Sequence, residues 1–175
     1  MVIHPSIYWI AGSSCSGKSS IARMFAEQYG FNLYACDEHV DEHLRNISPN
    51  KQPAMHQISR MNANEVFYTR KIQEQLRTYI DFFIEDFDFV LKDLTTAEPQ
   101  TPLVVEGNQL LPFLIAPYLQ ESHKAIWIVP TEPFQWAHYS KRTWIDNILK
   151  YTDDPVVAFR NWMTRDVLFA EFIQQ

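Results

Sequence analysis

The sequence predicts an α/β domain: a parallel sheet flanked by helices, with a helical insertion after its second strand. Three observations lead there. Short apolar, β-rich runs alternate with longer stretches of helical periodicity, the pattern of strand–helix–strand crossover units. The first run opens directly into Gly12-Ser13-Ser14-Cys15-Ser16-Gly17-Lys18-Ser19, a full match to G-x-x-x-x-G-K-[ST]. About 65 residues then separate the second strand run from the third, many more than a plain crossover needs.

Taken in order, Ile7-Tyr8-Trp9-Ile10-Ala11 is the first strand, apolar throughout as suits a strand buried on both faces. Ser20 to Tyr29 follows as a helix with apolar positions at Ile21, Ala22, Met24, Phe25 and Tyr29, and Gly30 supplies its C-terminal cap. Asn32 to Cys36 is the second strand and ends at Asp37-Glu38. Residues 38–101 form the insertion. Within it Pro49 to Arg60 reads as irregular, and a long helix starts near Asn62-Ala63-Asn64-Glu65, an N-cap with an acid three residues on. Apolar positions from Ile72 to Leu94 recur with a period near 3.6, so the helix is predicted over 64–94. About 30 helical residues span about 45 Å, and a homodimer contact is one use for the excess length.

Thr101 to Val105 is the third strand, ending at Glu106-Gly107, and Ala125 to Val129 the fourth. Pro133 to Lys150 then reads as a helix, and a second helix runs from Val156 to Gln175 after the break at Tyr151–Pro155. Residues 131–165 are the expected lid. The whole chain, 1–175, is expected to be one domain.

Composition narrows the class of function. Apolar residues make up 46% of the 175 and charged residues 21%, as in ordinary globular proteins, which argues against disorder and against a disulfide scaffold. Fifteen basic against 21 acidic residues leave a net charge of −6, unsuited to neutralising a nucleic-acid backbone. No run of about 18 apolar residues is present, and Met1-Val2-Ile3-His4-Pro5 lacks the basic start of a signal peptide. Cys15 and Cys36, the only cysteines, agree with a reducing compartment. The expectation is a cytoplasmic protein that binds neither nucleic acid nor membrane.

The glycine loop carries the chemistry. A polyphosphate needs several backbone N–H groups aimed at one point and the positive end of a helix dipole, and Gly12 and Gly17 allow the turn and the close approach. Ser13, Ser14, Cys15, Ser16 and Ser20 complete the nucleotide-binding loop, Cys15 as a small filler. Lys18 is placed to reach the β- and γ-phosphates, and the Ser19 hydroxyl to ligate Mg²⁺, which makes ATP and Mg²⁺ the expected cofactors. Carboxyl ends of parallel strands face the ligand crevice, so Asp37 and Glu106 should converge on the loop. Asp37 is the first choice for contacting an acceptor hydroxyl and Glu106 for holding the metal through water, and both are candidates for metal and for substrate. Arg142 is the first choice for countercharge in phosphoryl transfer and Arg165, on the last helix, the second, placed there to contact the nucleotide. His56 and Arg60 are candidates for the acceptor. His39-Val40-Asp41-Glu42-His43 also fits H-x-x-E-H, an inverted zinc-peptidase pattern, but lies where a helix lining the crevice is expected, so surface or substrate contacts are the preferred reading.

Together the loop after the first strand, Asp37 after the second, Glu106-Gly107 after the third and a basic helix after the fourth resemble the P-loop kinases of the nucleoside-monophosphate-kinase-like group, such as shikimate, gluconate and uridine kinases and chloramphenicol phosphotransferase. The resemblance covers most of the chain in order of elements, with the loop as its one specific motif. It implies a three-layer P-loop NTPase fold with strand order 2-3-1-4-5, Mg·ATP as donor and a mobile lid. Glu106-Gly107 is similar to the uridine-kinase pattern, and Asp37 stands where small-molecule kinases place their acceptor-contacting Asp. Two departures are visible. Shikimate kinase has Asp-x-Asp where Asp37 is followed by Glu38 and His39, and no apolar β run follows Val129, so the expected order is 2-3-1-4. The function expected is transfer of the ATP γ-phosphate to a hydroxyl of a small molecule. The alternative is a nucleotide-binding switch or slow NTPase acting through a protein partner, which the spare length of the long helix favours.

Overall fold

The strand Leu103–Gly107 shows why this sheet reads as unbroken apolar runs. Val104 and Val105 are both fully buried, one among residues beneath the first helix and the other among residues beneath the longest one, so successive side chains enter two separate cores. The computed structural model describes residues 6–96 and 101–175. Met1–Pro5, read above for a leader, and residues 97–100 at the end of the insertion lie outside the described residues. The order is β1 (Ile7–Gly12), α1 (Lys18–Tyr29), β2 (Asn32–Ala35), α2 (Cys36–Arg45), α3 (Pro53–Ile58), α4 (Ala63–Phe67), α5 (Ile72–Thr96), β3 (Leu103–Gly107), α6 (Pro112–Ile115), β4 (Ala125–Ile128), α7 (Glu132–Tyr139), α8 (Thr143–Leu149) and α9 (Pro155–Ile173). Short 3-10 turns lie at Ala116–Tyr118 and Ser122–Lys124.

Among the described residues the strands form one parallel four-stranded sheet ordered β2-β3-β1-β4, the order expected. Helix α1 covers one face, packing Ala22 and Ala26 on Ile10 and Val104. Phe87, Val90, Leu91 and Leu94 of α5 cover the other, against Ile7, Trp9 and Val105. Burying each of these larger side chains contributes roughly 1.5–3 kcal/mol. No helix among the described residues is long and apolar enough to cross a membrane.

Three expectations are corrected. The long helix does not begin at Asn62. The capping box of Asn62 and Glu65 starts the five-residue α4 instead, and the chain turns at Tyr68–Lys71 before α5 begins. Tertiary contacts stabilise the break: the Asn161 amide from α9 donates to the Phe67 and Tyr68 carbonyls at 3.1 and 3.4 Å, and the Gln75 amide donates to the Arg70 carbonyl at 2.9 Å. The remaining 25 residues of α5 span about 38 Å and pack their apolar face against α2, α3, α9 and the sheet. Second, the stretch expected to be irregular holds α3, whose first N–H groups, Ala54 and Met55, donate to the Glu85 carboxylate at 2.9 and 2.8 Å. Third, the helix expected over Pro133–Lys150 is two, α7 and α8, separated by a turn at Ser140–Arg142.

Candidate active site

Register brings the predicted groups together. In the sheet Glu106 pairs with Ile10 on one side and Ala35 on the other, so the ends of β1, β2 and β3 lie level. From β1 the chain enters the Gly12–Ser19 loop, and from β2 it enters α2, whose second residue is Asp37. The loop takes positive φ in three places, Gly12, Cys15 and Gly17 at 130°, 62° and 83°, of which only Cys15 is a non-glycine residue. A Cβ on Gly12 would lie 1.9 Å from the Ile128 carbonyl oxygen, so only glycine lets β1 pass β4 here. At Gly17 the requirement is conformational, since space around it is open.

Gly17 also leaves the start of α1 without a side-chain cap. The N–H groups of Ser20 and Ile21 turn inward to the Gly17 carbonyl, so those of Lys18 and Ser19 face out of the helix end. With the helix dipole behind them they suit an anion. Lys18 is buried, its Nζ 3.3 Å from Glu106 Oε1 but without hydrogen-bond alignment. Burial pushes the Glu106 carboxyl above the usual range, against the opposing pull of Lys18, and nearby Asp37 pushes it the same way as burial. The Ser19 hydroxyl also reaches Glu106. Buried Ser13 Oγ and Ser16 Oγ have no hydrogen-bond partner. A loop with outward N–H groups, an amine beside a carboxylate reluctant to ionise, and orphaned hydroxyls fits a metal–polyphosphate, with Ser19 and Glu106 as the metal-side groups.

Beside the loop lies a cavity of about 410 Å³. Ser14 from the loop and Asp37 from α2 form part of its wall, joined by Asn108 and Gln109 after β3, Gln75 and Tyr79 of α5, and Arg142 and Arg165 from the lid region. Asn108 ties the halves together: its amide donates to Ser14 Oγ at 3.2 Å and to Tyr79 Oη at 3.3 Å. Arg142 is exposed, its guanidinium 5.1 Å from the Tyr139 ring centre and 5.8 Å from that of Trp144, and it forms no ion pair among the described residues. Arg165 is buried and held: Nε and Nη2 donate to Asp166 Oδ1 at 2.9 and 2.6 Å, and the cation lies 4.2 Å from the Tyr79 ring centre.

Other expected groups lie elsewhere. His56, half-buried on α3, and exposed Arg60 do not line the cavity; Ile58 between them does. Of the H-x-x-E-H residues only His43 faces α5, bonding Asp86 at 2.7 Å and Asp93 at 3.0 Å; His39 stacks on Tyr34 of β2 with ring centres 4.1 Å apart, and Glu42 is exposed. No group of three or more His, Cys, Asp or Glu among the described residues is arranged to hold a metal. Cys15 packs against the apolar lid cluster, and burial raises its thiol pKa, as suits a filler. Sequence reasoning missed Arg70, Gln75, Asn108, Gln109 and Trp162. Only Asn108-Gln109, polar residues directly after a buried strand, left a readable signal. No protein-family model matches this chain, and no curated protein matches it.

Proposed function

We propose that this chain is a P-loop kinase that transfers the γ-phosphate of ATP, as its magnesium complex, to a hydroxyl of a small molecule. The supporting observation is the cavity beside the glycine loop, whose wall includes both Ser14 and Asp37 and is otherwise built by the insertion and the lid region. At about 410 Å³ it is of a size for a small molecule. Bound Mg·ATP supplies the phosphoryl group and the charge that draws electrons from it. The chain's own residues do the rest. Lys18 and the N–H groups at the start of α1 hold phosphate oxygens, and Ser19 and Glu106 hold the metal side. Asp37 would accept the proton of the acceptor hydroxyl as its oxygen bonds the γ-phosphorus and the bond from that phosphorus to the bridging oxygen breaks, ADP leaving. Arg142, exposed at the rim and with no carboxylate partner among the described residues, is the countercharge for the transferring group, whereas Arg165 is held by Asp166 and shapes the wall. The reading of a switch with a protein partner drew its support from spare helix length; α5, 25 residues long, packs its apolar face within the domain, which favours the kinase reading.

The test is ADP release from Mg·ATP by the purified protein against a panel of nucleosides, sugars, hydroxy acids and antibiotics bearing hydroxyl groups. One class is expected to stimulate release, and Asp37→Asn is expected to abolish that stimulation while ATP still binds. Full acceptor-dependent turnover in Asp37→Asn would remove Asp37 from the mechanism, and a flat panel would remove the kinase reading.

A further inference from the structure

Helix α2 presents two stripes to two different places. Asp37 and Val40 line the cavity beside the glycine loop, whereas His39 stacks on Tyr34 and His43 reaches α5. The helix is ten residues long, so what holds one stripe positions the other. Among the described residues His43 is the one α2 side chain whose hydrogen bonds reach another element: Nδ1 lies 2.7 Å from Asp86 Oδ1 and Nε2 3.0 Å from Asp93 Oδ2. His43 is 3% exposed, and Asp86 is fully buried with its Oδ2 unpartnered. Asp93 also accepts from the Tyr34 hydroxyl at 2.7 Å. The His39 ring, its centre 6.3 Å from that of His43, and the Phe89 ring at 5.2 Å complete the surroundings. Buried Cys36, near Asp86, has its thiol pushed well up by burial and stays neutral.

These contacts demand protons. A carboxylate only accepts, and each ring nitrogen here meets a carboxylate oxygen, so both contacts are hydrogen bonds only when the three groups share two protons. An imidazolium between two carboxylates has them. A neutral imidazole has one, and its other nitrogen then meets a carboxylate oxygen lone pair to lone pair. The Asp93 contact is the one to open, because that side chain is 37% exposed and can turn to water, whereas Asp86 cannot. Val40 and Leu44 still pack on the insertion core, so α2 loosens without leaving.

We propose that His43 is a positioning residue: as an imidazolium it binds Asp86 and Asp93 together, and so fixes α2, and with it Asp37, at the cavity. Loss of that proton loosens the helix and slows the step in which Asp37 takes part. The inference rests on the role proposed for Asp37, but the hold on α2 is measured apart from it.

The first measurement is amide hydrogen exchange of α2 in the purified protein without nucleotide, followed by mass spectrometry. Burial lowers the His43 pKa, and the hydrogen bonds and charge of Asp86 and Asp93 raise it by more, so the hold is complete below about pH 6.5 and is lost as pH climbs through the folded value. Between about pH 6 and about pH 9, after correction for intrinsic exchange, α2 is expected to lose about tenfold in protection while α1 keeps its own. The deciding variant is Asp93→Asn. Its amide nitrogen donates to the bare ring nitrogen and to the Tyr34 oxygen, so a neutral His43 satisfies both contacts, and α2 is expected to stay protected at about pH 9. Asp86→Asn does the same from the other ring nitrogen and serves where Asp93→Asn does not fold. A cluster with a merely structural role would lose protection in these variants at every pH. In acceptor-dependent ADP release the wild type is expected to lose about tenfold in kcat/KM for the acceptor over the same range, with KM for ATP unchanged, while the folded Asn variant holds its rate. Constant α2 protection in the wild type, or protection in a folded Asn variant that still falls with pH, would overturn the proposal. So would turnover that ignores pH where α2 loosens. If no acceptor stimulates release, the kinase reading falls, and the exchange measurement alone decides whether the proton on His43 holds α2.

Discussion

Two buried ion pairs stand within this one site, and they are built differently. Arg165 and Asp166 are satisfied from every side: two guanidinium N–H groups on one carboxylate oxygen, the Tyr139 hydroxyl on the other at 2.9 Å, and the Tyr79 ring under the cation. Lys18 and Glu106 are close but poorly aligned, and burial pushes the carboxyl above its ordinary range. A pair that satisfies itself is architecture, because partners in place offset the cost of removing two charges from water. One left incomplete, at the uncapped start of a helix, is arranged for a third charge to arrive.

The largest effect that tests this contrast is Asp166→Ala. It strands a buried guanidinium and is expected to cost about 3–5 kcal/mol, read as a lower denaturation midpoint in urea. The matched change, Lys18→Met, is expected to cost under about 2 kcal/mol of stability, since the pair it breaks is poorly aligned and Ser19 stays beside Glu106. In the same variant ATP affinity should fall at least tenfold, as a charge-assisted phosphate contact is worth about 1.5–3 kcal/mol. Equal stability losses in the two variants would erase the distinction between the pairs.

The smallest effect concerns a third charged cluster, His43 with Asp86 and Asp93. Burial disfavours the imidazolium, yet the hydrogen bonds it donates to the Asp86 and Asp93 carboxylates, with their charge, outweigh that and raise the His43 pKa above its ordinary value. A His with a raised folded pKa stabilises fully below the unfolded value of about 6.5 and loses that contribution as pH climbs through the folded one. The melting temperature of the wild type should therefore decline above neutral pH by more than that of His43→Gln. Parallel curves would show that folding does not raise the His43 pKa.

How far the sequence could be read follows the same division. Strands, glycine loop, Asp37 and Glu106 were legible because each depends on local chemistry: an apolar run, a turn that needs glycine, an acid at a strand end. The sheet order came from a resemblance, and the structure has it. The cavity was not legible. The chain turns at Tyr68–Lys71 without a glycine or proline to announce it, because Asn161, far along the sequence, accommodates the end of α4. His56 and Arg60 were chosen for type, yet α3 turns Ile58 to the cavity, and Gln75 was hidden inside a helical repeat that otherwise reads as core.

Those same contacts place the site in time. Asn108 to Ser14 and Asn161 to Phe67 each span 94 residues, and the Asp153 N–H reaches Asn64 Oδ1 across 89. Long closures are slow, since the chain loses entropy before any contact repays it. A chain emerging from the ribosome makes its glycine loop first and Trp162 and Arg165 nearly last. The newborn protein thus has the makings of its glycine loop well before the cavity beside that loop is enclosed.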